Sequence, residues 1–221
     1  MEKICHIAGA AETGTAVVVR RPGDLVIAAD GGLALLKRLG VEPDLTLGDF
    51  DSLGLAPTGK NVVRHPPEKD DTDMLLAVRE GLRRGYRVFS IVGGLGGRLS
   101  HTLANIQTLL LIAGSGGVGF LHGDGTVVTA VKDGVIRFPA GRTGLVSVFS
   151  AGERAEGVTE RGLKYRLDGA VLTNDRPLGV SNEFTGEEAE IAVERGSLIV
   201  IWAEDGFDPA SSGITTGGPS C

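Results

Sequence analysis

The sequence predicts an α/β protein, with an N-terminal, mostly parallel sheet and flanking helices followed by a C-terminal antiparallel β-sandwich domain. Three observations lead there. Up to residue 123, short apolar runs alternate with stretches of helical spacing, the rhythm of strand–helix–strand units. From 124 to 205 only strand-like runs and turns follow. Finally, acidic or glycine-rich clusters fall where strands should end or helices begin. The stretch 206–221 is rich in Gly, Ser, Thr and Pro with little to bury, and is expected to be a disordered tail.

In the first half, Leu25-Val26-Ile27-Ala28-Ala29 reads as a buried strand, followed by a helix over 33–39 that Gly40 stops. Leu45-Thr46-Leu47 and Asn61-Val62-Val63-Arg64 are short strands. Thr72 can cap the next helix, with a Leu75, Val78, Leu82 stripe and Gly85 at its end. Residues 87–92 form a strand leading into a glycine run. Ser100 is expected to cap a further helix with Leu103, Ile106, Leu110 and Ala113 on one face. In the second half, strands are expected over 126–131, 135–138, 145–149, 162–167, 190–193 and 197–202, and Trp202 is expected in the core.

The 221 residues can bury a sizeable core, and 42% hydrophobic with 23% charged content is ordinary for a globular chain. A net charge of −6 argues against a uniformly basic nucleic-acid surface. The two cysteines, Cys5 and Cys221, imply neither a disulfide framework nor a zinc site, and Cys5 reads as a buried strand thiol. No signal peptide or membrane-length apolar run is visible, so a cytoplasmic location is expected.

The chemistry lies in the clusters. Ala29-Asp30-Gly31-Gly32 ends a strand and opens a helix, where glycines let a ligand approach the backbone and the helix N-terminus attracts anions. In Gly48-Asp49-Phe50-Asp51-Ser52, two carboxylates spaced by one residue face the same way on extended chain, as hard ligands for Mg²⁺ would; taken alone, a turn is the simpler explanation. Asp70, Asp71 and Asp73 crowd a helix start. They suit the helix dipole, and their mutual repulsion calls for a cationic partner or open solvent. Gly96-Gly97-Arg98 precedes a helix, and Arg98 can clamp phosphate oxygens in bidentate fashion; His101 is placed to orient this loop. Lys164-Tyr165 and Ser181-Asn182-Glu183-Phe184 carry groups able to hydrogen-bond or stack on a polar ring, or to build turns and core. Acids beside glycine loops and one arginine are what a cation and a polyphosphate need.

In this order, Ala-Asp-Gly-Gly, Gly-Asp-Phe-Asp-Ser, Asp-Asp-Thr-Asp, Gly-Gly-Arg-Leu-x-His and Ser-Asn-Glu-Phe, the chain resembles the thiamine pyrophosphokinase family over residues 3–203. The resemblance implies an ATP- and Mg²⁺-binding catalytic domain over 1–123 and a thiamine-binding β-sandwich over 124–205. It also implies a homodimer with sites at the subunit interface, and pyrophosphoryl transfer from ATP to thiamine. It implies Mg²⁺ at Asp49, Asp51 and Asp73, and nucleotide contacts from Asp30, Gly31, Asp71, Thr72, Arg98 and His101. Asp51, Asp73 and Arg98 would be catalytic, with Asp73 or Asp51 taking or orienting the hydroxyl proton. Ser181 and Asn182 would face the thiamine pyrimidine. The family's Gly-Gly-Arg-Leu/Phe-Asp-His carries Ser100 here, which can cap a helix but brings no charge. The rival readings are another Mg²⁺-dependent phosphotransferase or phosphohydrolase, and a non-catalytic binder of thiamine or nucleotide.

Overall fold

A computed structural model of the chain describes residues 2–48, 61–64 and 70–218. Two compact units emerge: residues up to Gly125 together with Asp205–Asp208, and Thr126–Glu204 with the residues from Pro209 on.

The first unit runs β1 (Ile4–Ala8), β2 (Leu25–Ala29), α1 (Gly32–Arg38), β3 (Leu45–Gly48), β4 (Val62–Arg64), α2 (Asp73–Arg83), β5 (Val88–Val92), α3 (Leu99–Gly114) and β6 (Val118–Gly123). The strands lie in the order β6-β5-β1-β2-β3-β4, every pair parallel. All residues of β1 and β2 are buried, as strands covered on both faces require. Cys5 lies in this core, and burial pushes its thiol far up.

The helices settle by fit as much as by stripe. α2 buries Met74, Ala77, Val78 and Gly81, and a Cβ at Gly81 would lie 2.6 Å from the Phe89 ring and 2.9 Å from Cys5 Sγ. α3 turns a different face inward from the expected one. Asn105, Thr108, Leu109 and Ile112 are buried, whereas Leu103 is 56% exposed. The reason lies in β6, where Gly119 leaves a hollow filled by Leu109 and Ile112; a Cβ there would come within 2.9 Å and 2.7 Å of them. With apolar residues on more than one face, the helix rotates to the face the sheet accommodates. Ser100 does not cap α3: Arg98 is the N-cap residue and supplies no side-chain cap bond.

The expected disordered tail is corrected as far as residue 218. Phe207 is buried against Phe120 and His122, with ring centroids 5.1 and 5.3 Å apart, and Asp208 pairs with Arg21 at 2.6 Å. One large apolar side chain and one carboxylate with a cation suffice to hold the segment down. Beneath it lie two buried histidines. His6 Nε2 meets Asp24 Oδ2 at 3.3 Å, while His6 Nδ1 is buried without a hydrogen-bond partner among the described residues. His122 Nε2 meets Ser90 Oγ at 2.8 Å. Burial pulls both imidazoles down, His122 from 6.5 to about 4. The unfolded chain therefore binds more protons than the folded one in this window. Stability is expected to fall as pH drops from about 6.5 toward 4, by about 3 kcal/mol for His122 alone. Urea titrations across that range check this, and His122→Gln should flatten the slope.

The second unit is antiparallel: β7 (Thr126–Phe138), β8 (Thr143–Ser150), β9 (Arg154–Arg161), β10 (Leu167–Thr173), β11 (Gly179–Thr185), β12 (Ala189–Ala203) and β13 (Thr215–Gly217). β12 pairs with β7 along its length, with β9 through its first half and with β8 through its second; β10 adds to β9, β11 to β8 and β13 to β7. The four expected runs 126–131, 135–138, 190–193 and 197–202 are thus two long strands. Their breakers face each other: the ladder shifts between Val193 and Ser197, and Asp133 Oδ1 accepts from the Gly196 amide at 2.8 Å. Trp202 is in the core, edge-on to Phe138. The run expected over 162–167 is instead a turn, leading into β10 at Leu167, that lies along β11 with Leu163 bridged to Phe184.

Candidate active site

In a parallel sheet all strands end at one edge, and here the carboxyl ends of β1, β2 and β5 border a cavity of about 360 Å³. The ladder runs on past the strand ends: the Gly9 amide donates to the Val92 carbonyl at 2.8 Å and that of Ala11 to the Gly93 carbonyl at 2.9 Å. Gly93 has φ 65°, and a Cβ there would run into the Gly9 carbonyl oxygen. This close approach of two backbones forms the floor of the cavity.

Asp30, directly after β2, lines the cavity with its backbone in the left-handed region at φ 46°. Strained non-glycine residues of this kind concentrate at functional sites. Two helix N-termini open on the same space. α2 brings Thr72 and Asp73, with Thr72 Oγ1 accepting from the Leu75 amide at 3.2 Å as expected of a cap. α3 brings Arg98, His101 and Asn105, which follow one another turn by turn along one side of the helix. The glycine loop before α3 is held by Thr102 Oγ1, which donates to the Gly96 carbonyl at 3.0 Å. Asn105 Nδ2 donates to the Gly94 carbonyl at 2.8 Å. A half-enclosed cavity with two helix N-termini, a guanidinium and two carboxylates can take a polyanion together with a cation.

The cavity therefore brings together Asp30, Thr72, Asp73, Arg98 and His101 among the expected residues. Gly31 and Ser100 do not line it, and neither does Asp71, whose carboxylate pairs with Arg79 at 3.2 Å and so gains the cationic partner its crowding required. Asp49 and Asp51 lie outside the described residues. Among the described residues no group of three or more His, Cys, Asp and Glu side chains gathers to hold a metal. Sequence reading missed Asn105 and the Gly9–Ala11 loop. The signal for Asn105 was its place seven residues after Arg98 and four after His101, on their side of the helix.

Ser181 and Asn182 belong to the second unit. Ser181 has φ 59° and sits where the β11–β8 ladder slips, between Gly179 and Asn182; its amide donates to Ser147 Oγ at 3.1 Å. This bulge turns Asn182 inward, leaving it 4% exposed. Its Oδ1 accepts from the Tyr165 and Glu183 amides, both at 2.9 Å, and its Nδ2 donates to the Tyr165 carbonyl at 2.6 Å and to Glu160 Oε2 at 2.7 Å. These bonds engage the whole amide in pinning the 162–166 turn to β11. Lys164 Nζ meets Glu183 at 2.9 Å and lies over the Tyr165 ring, which is 60% exposed.

A family model described as the thiamin pyrophosphokinase catalytic domain matches residues 21–115, and one described as the thiamin pyrophosphokinase vitamin B1 binding domain matches 135–198. The chain is 29% identical to the thiamine pyrophosphokinase of Bacillus subtilis (strain 168) over 203 residues, spanning 82% of this chain and 88% of that one. It is 28% identical to thiamin pyrophosphokinase 1 of Caenorhabditis elegans over 191 residues, 80% and 78% of the two. Among solved structures it is similar to thiamin pyrophosphokinase from Geobacillus thermodenitrificans, with a TM-score of 0.78, 26% identity, and coverage of 91% of this chain and 98% of that one. Asp30, Thr72, Asp73, Arg98, His101 and Asn105 of the strand-end site fall within the catalytic match and the Ser181–Asn182 bulge within the vitamin B1 match, so the chain belongs to the thiamin pyrophosphokinase family.

Proposed function

We propose that the chain transfers the pyrophosphoryl group of ATP to the hydroxyl of thiamine, giving thiamine diphosphate and AMP. The observation that carries this reading is the cavity in which Arg98, Asp30, Asp73 and the N-termini of α2 and α3 converge. The helix N-termini and Arg98 hold the triphosphate and stay fixed on the migrating group as its charge redistributes. The carboxylates of Asp30 and Asp73 fit a hard divalent cation and would hold Mg²⁺; Asp49 and Asp51 are assigned to the same ion from their family motif alone. Bound there, the ion would neutralise phosphate charge and favour departure of AMP. Asp73, or Asp51, accepts or orients the proton of the attacking hydroxyl. Transfer of this kind depends mostly on positioning and electrostatics, so no strong base is required.

The thiamine side is assigned to the second unit, to Ser181 and the Lys164–Tyr165 turn. Asn182 serves there by holding the turn, since its amide is already engaged. A homodimer with sites at the subunit interface belongs to the same reading; Leu99, 81% exposed, and Leu103 on α3 offer apolar surface that such an assembly would cover. A cytoplasmic site of action is part of it as well. No helix among the described residues is long and apolar enough to cross a membrane.

The test is incubation with ATP, Mg²⁺ and thiamine. AMP and thiamine diphosphate should appear in equal amounts. ADP or free phosphate as the nucleotide-derived product would overturn the assignment in favour of a kinase or a hydrolase.

A further inference from the structure

Glu160 is the least expected residue of the second unit. It lies on β9, where Val158 and Ala155 also face the interior, and is 1% exposed. The register places it beside Leu167 of β10 and Ile191 of β12. Oε2 accepts from Asn182 Nδ2 at 2.7 Å, and Oε1 is buried with no hydrogen-bond partner among the described residues. No ion pair involving it is seen among those residues. Burial pushes its carboxyl up, and the Asn182 bond pulls only partly the other way. An apolar side chain would fill this position at no such cost.

What the carboxyl does is fix the Asn182 amide. An Asn side chain can sit with its oxygen and nitrogen exchanged, and only its partners select one orientation. Here Tyr165 offers both an amide and a carbonyl, and Glu183 an amide. With Glu160 as a further acceptor, Nδ2 is held on one side and Oδ1 on the other. Tyr165 is thereby bound at both its amide and its carbonyl, and the Leu163–Phe184 bridge and the Thr185 Oγ1 bond to the Gly162 carbonyl complete the seam. The Asn182 neighbour on the other side is Ser181, in the left-handed backbone of the bulge.

We propose that Glu160 is a positioning residue for the thiamine half of the site: through Asn182 it locks the Lys164–Tyr165 turn and the Ser181 bulge into a single rigid surface. This rests on the functional reading above for what that surface binds, and on the geometry alone for the lock.

Glu160→Met removes the acceptor while filling the same space, and Glu160→Gln keeps an acceptor oxygen toward Asn182. The KM for thiamine should rise about tenfold in Glu160→Met, the scale of losing one hydrogen bond to a buried amide. The kcat and the KM for ATP should stay within about twofold, and Glu160→Gln should restore the KM for thiamine. Hydrogen exchange at the Tyr165 amide should accelerate about tenfold in Glu160→Met and not in Glu160→Gln. An unchanged KM for thiamine, or an equal rise in both KM values, overturns the proposal, as does Tyr165 exchange that the Met variant leaves untouched. A wild-type protein that forms no thiamine diphosphate from ATP sinks the functional reading instead, and the exchange measurement still decides the lock.

Discussion

Arg98→Ala is expected to lower kcat for AMP release by about 10²–10³, the usual cost of removing one preorganised donor from a developing anion. Arg98 is exposed at the mouth of α3 and lines the cavity, so its loss leaves no buried group unpaired and the unfolding midpoint should not move. The KM for thiamine should change by no more than about twofold, because the guanidinium acts on phosphate charge that grows in the transition state. Arg98→Lys should recover only a part: an ammonium restores the charge but not the forked, two-point grip on phosphate oxygens. Steady-state AMP release with ATP saturating gives the number. A kcat within about threefold of wild type in Arg98→Ala would remove Arg98 from the machinery and, with it, the main reason to place the triphosphate at α3.

Gly93→Ala is expected to cost about 3–5 kcal/mol of stability, combining left-handed strain for an L-residue with overpacking against a neighbour that cannot move aside. The neighbour is backbone. The new methyl would meet the carbonyl of Gly9, whose amide is itself tied to Val92, while Ala11 is tied to Gly93. Gly96→Ala is the control. Gly96 has φ 79° but nothing within 4 Å of its Cβ position, so only the strain of about 1–2 kcal/mol applies. Urea denaturation of both variants separates the close contact from the backbone conformation. Equal losses at the two positions would show that the Gly9–Gly93 contact is soft.

Much of the site was legible because its residues sit at chain punctuation. Asp30 is where an apolar run stops at glycines, Thr72 is a cap and Arg98 follows a glycine loop, and all three border the cavity. Asn105 carries no such mark. It lies inside a helix among apolar neighbours, marked only by its spacing from Arg98 and His101, and the rotation of α3 onto Gly119 turns it inward. That rotation was not legible, since Leu103 and Ile106 are as apolar as Leu109 and Ile112, and the choice between faces belongs to the partner surface. In the second half, β11 hid behind its polar run Ser181-Asn182-Glu183, and β9 behind Glu160, because polar side chains stand where alternation requires apolar ones. The breakers near Asp133 and Gly196 read as strand ends because their mutual pairing spans 63 residues of sequence. Phe207 was one aromatic in a bland tail, and one proved enough.

The return of Asp205–Asp208 to the first unit has a bearing on how the protein is born. A nascent chain emerges from its N-terminus, so the parallel sheet waits without the Phe207 cover over Phe120 and His122 until Thr126–Glu204, the strands of the second unit, have left the ribosome. During that interval an aromatic and a histidine that finish buried remain open to water, and sealing them follows the synthesis of the whole second-unit strand set.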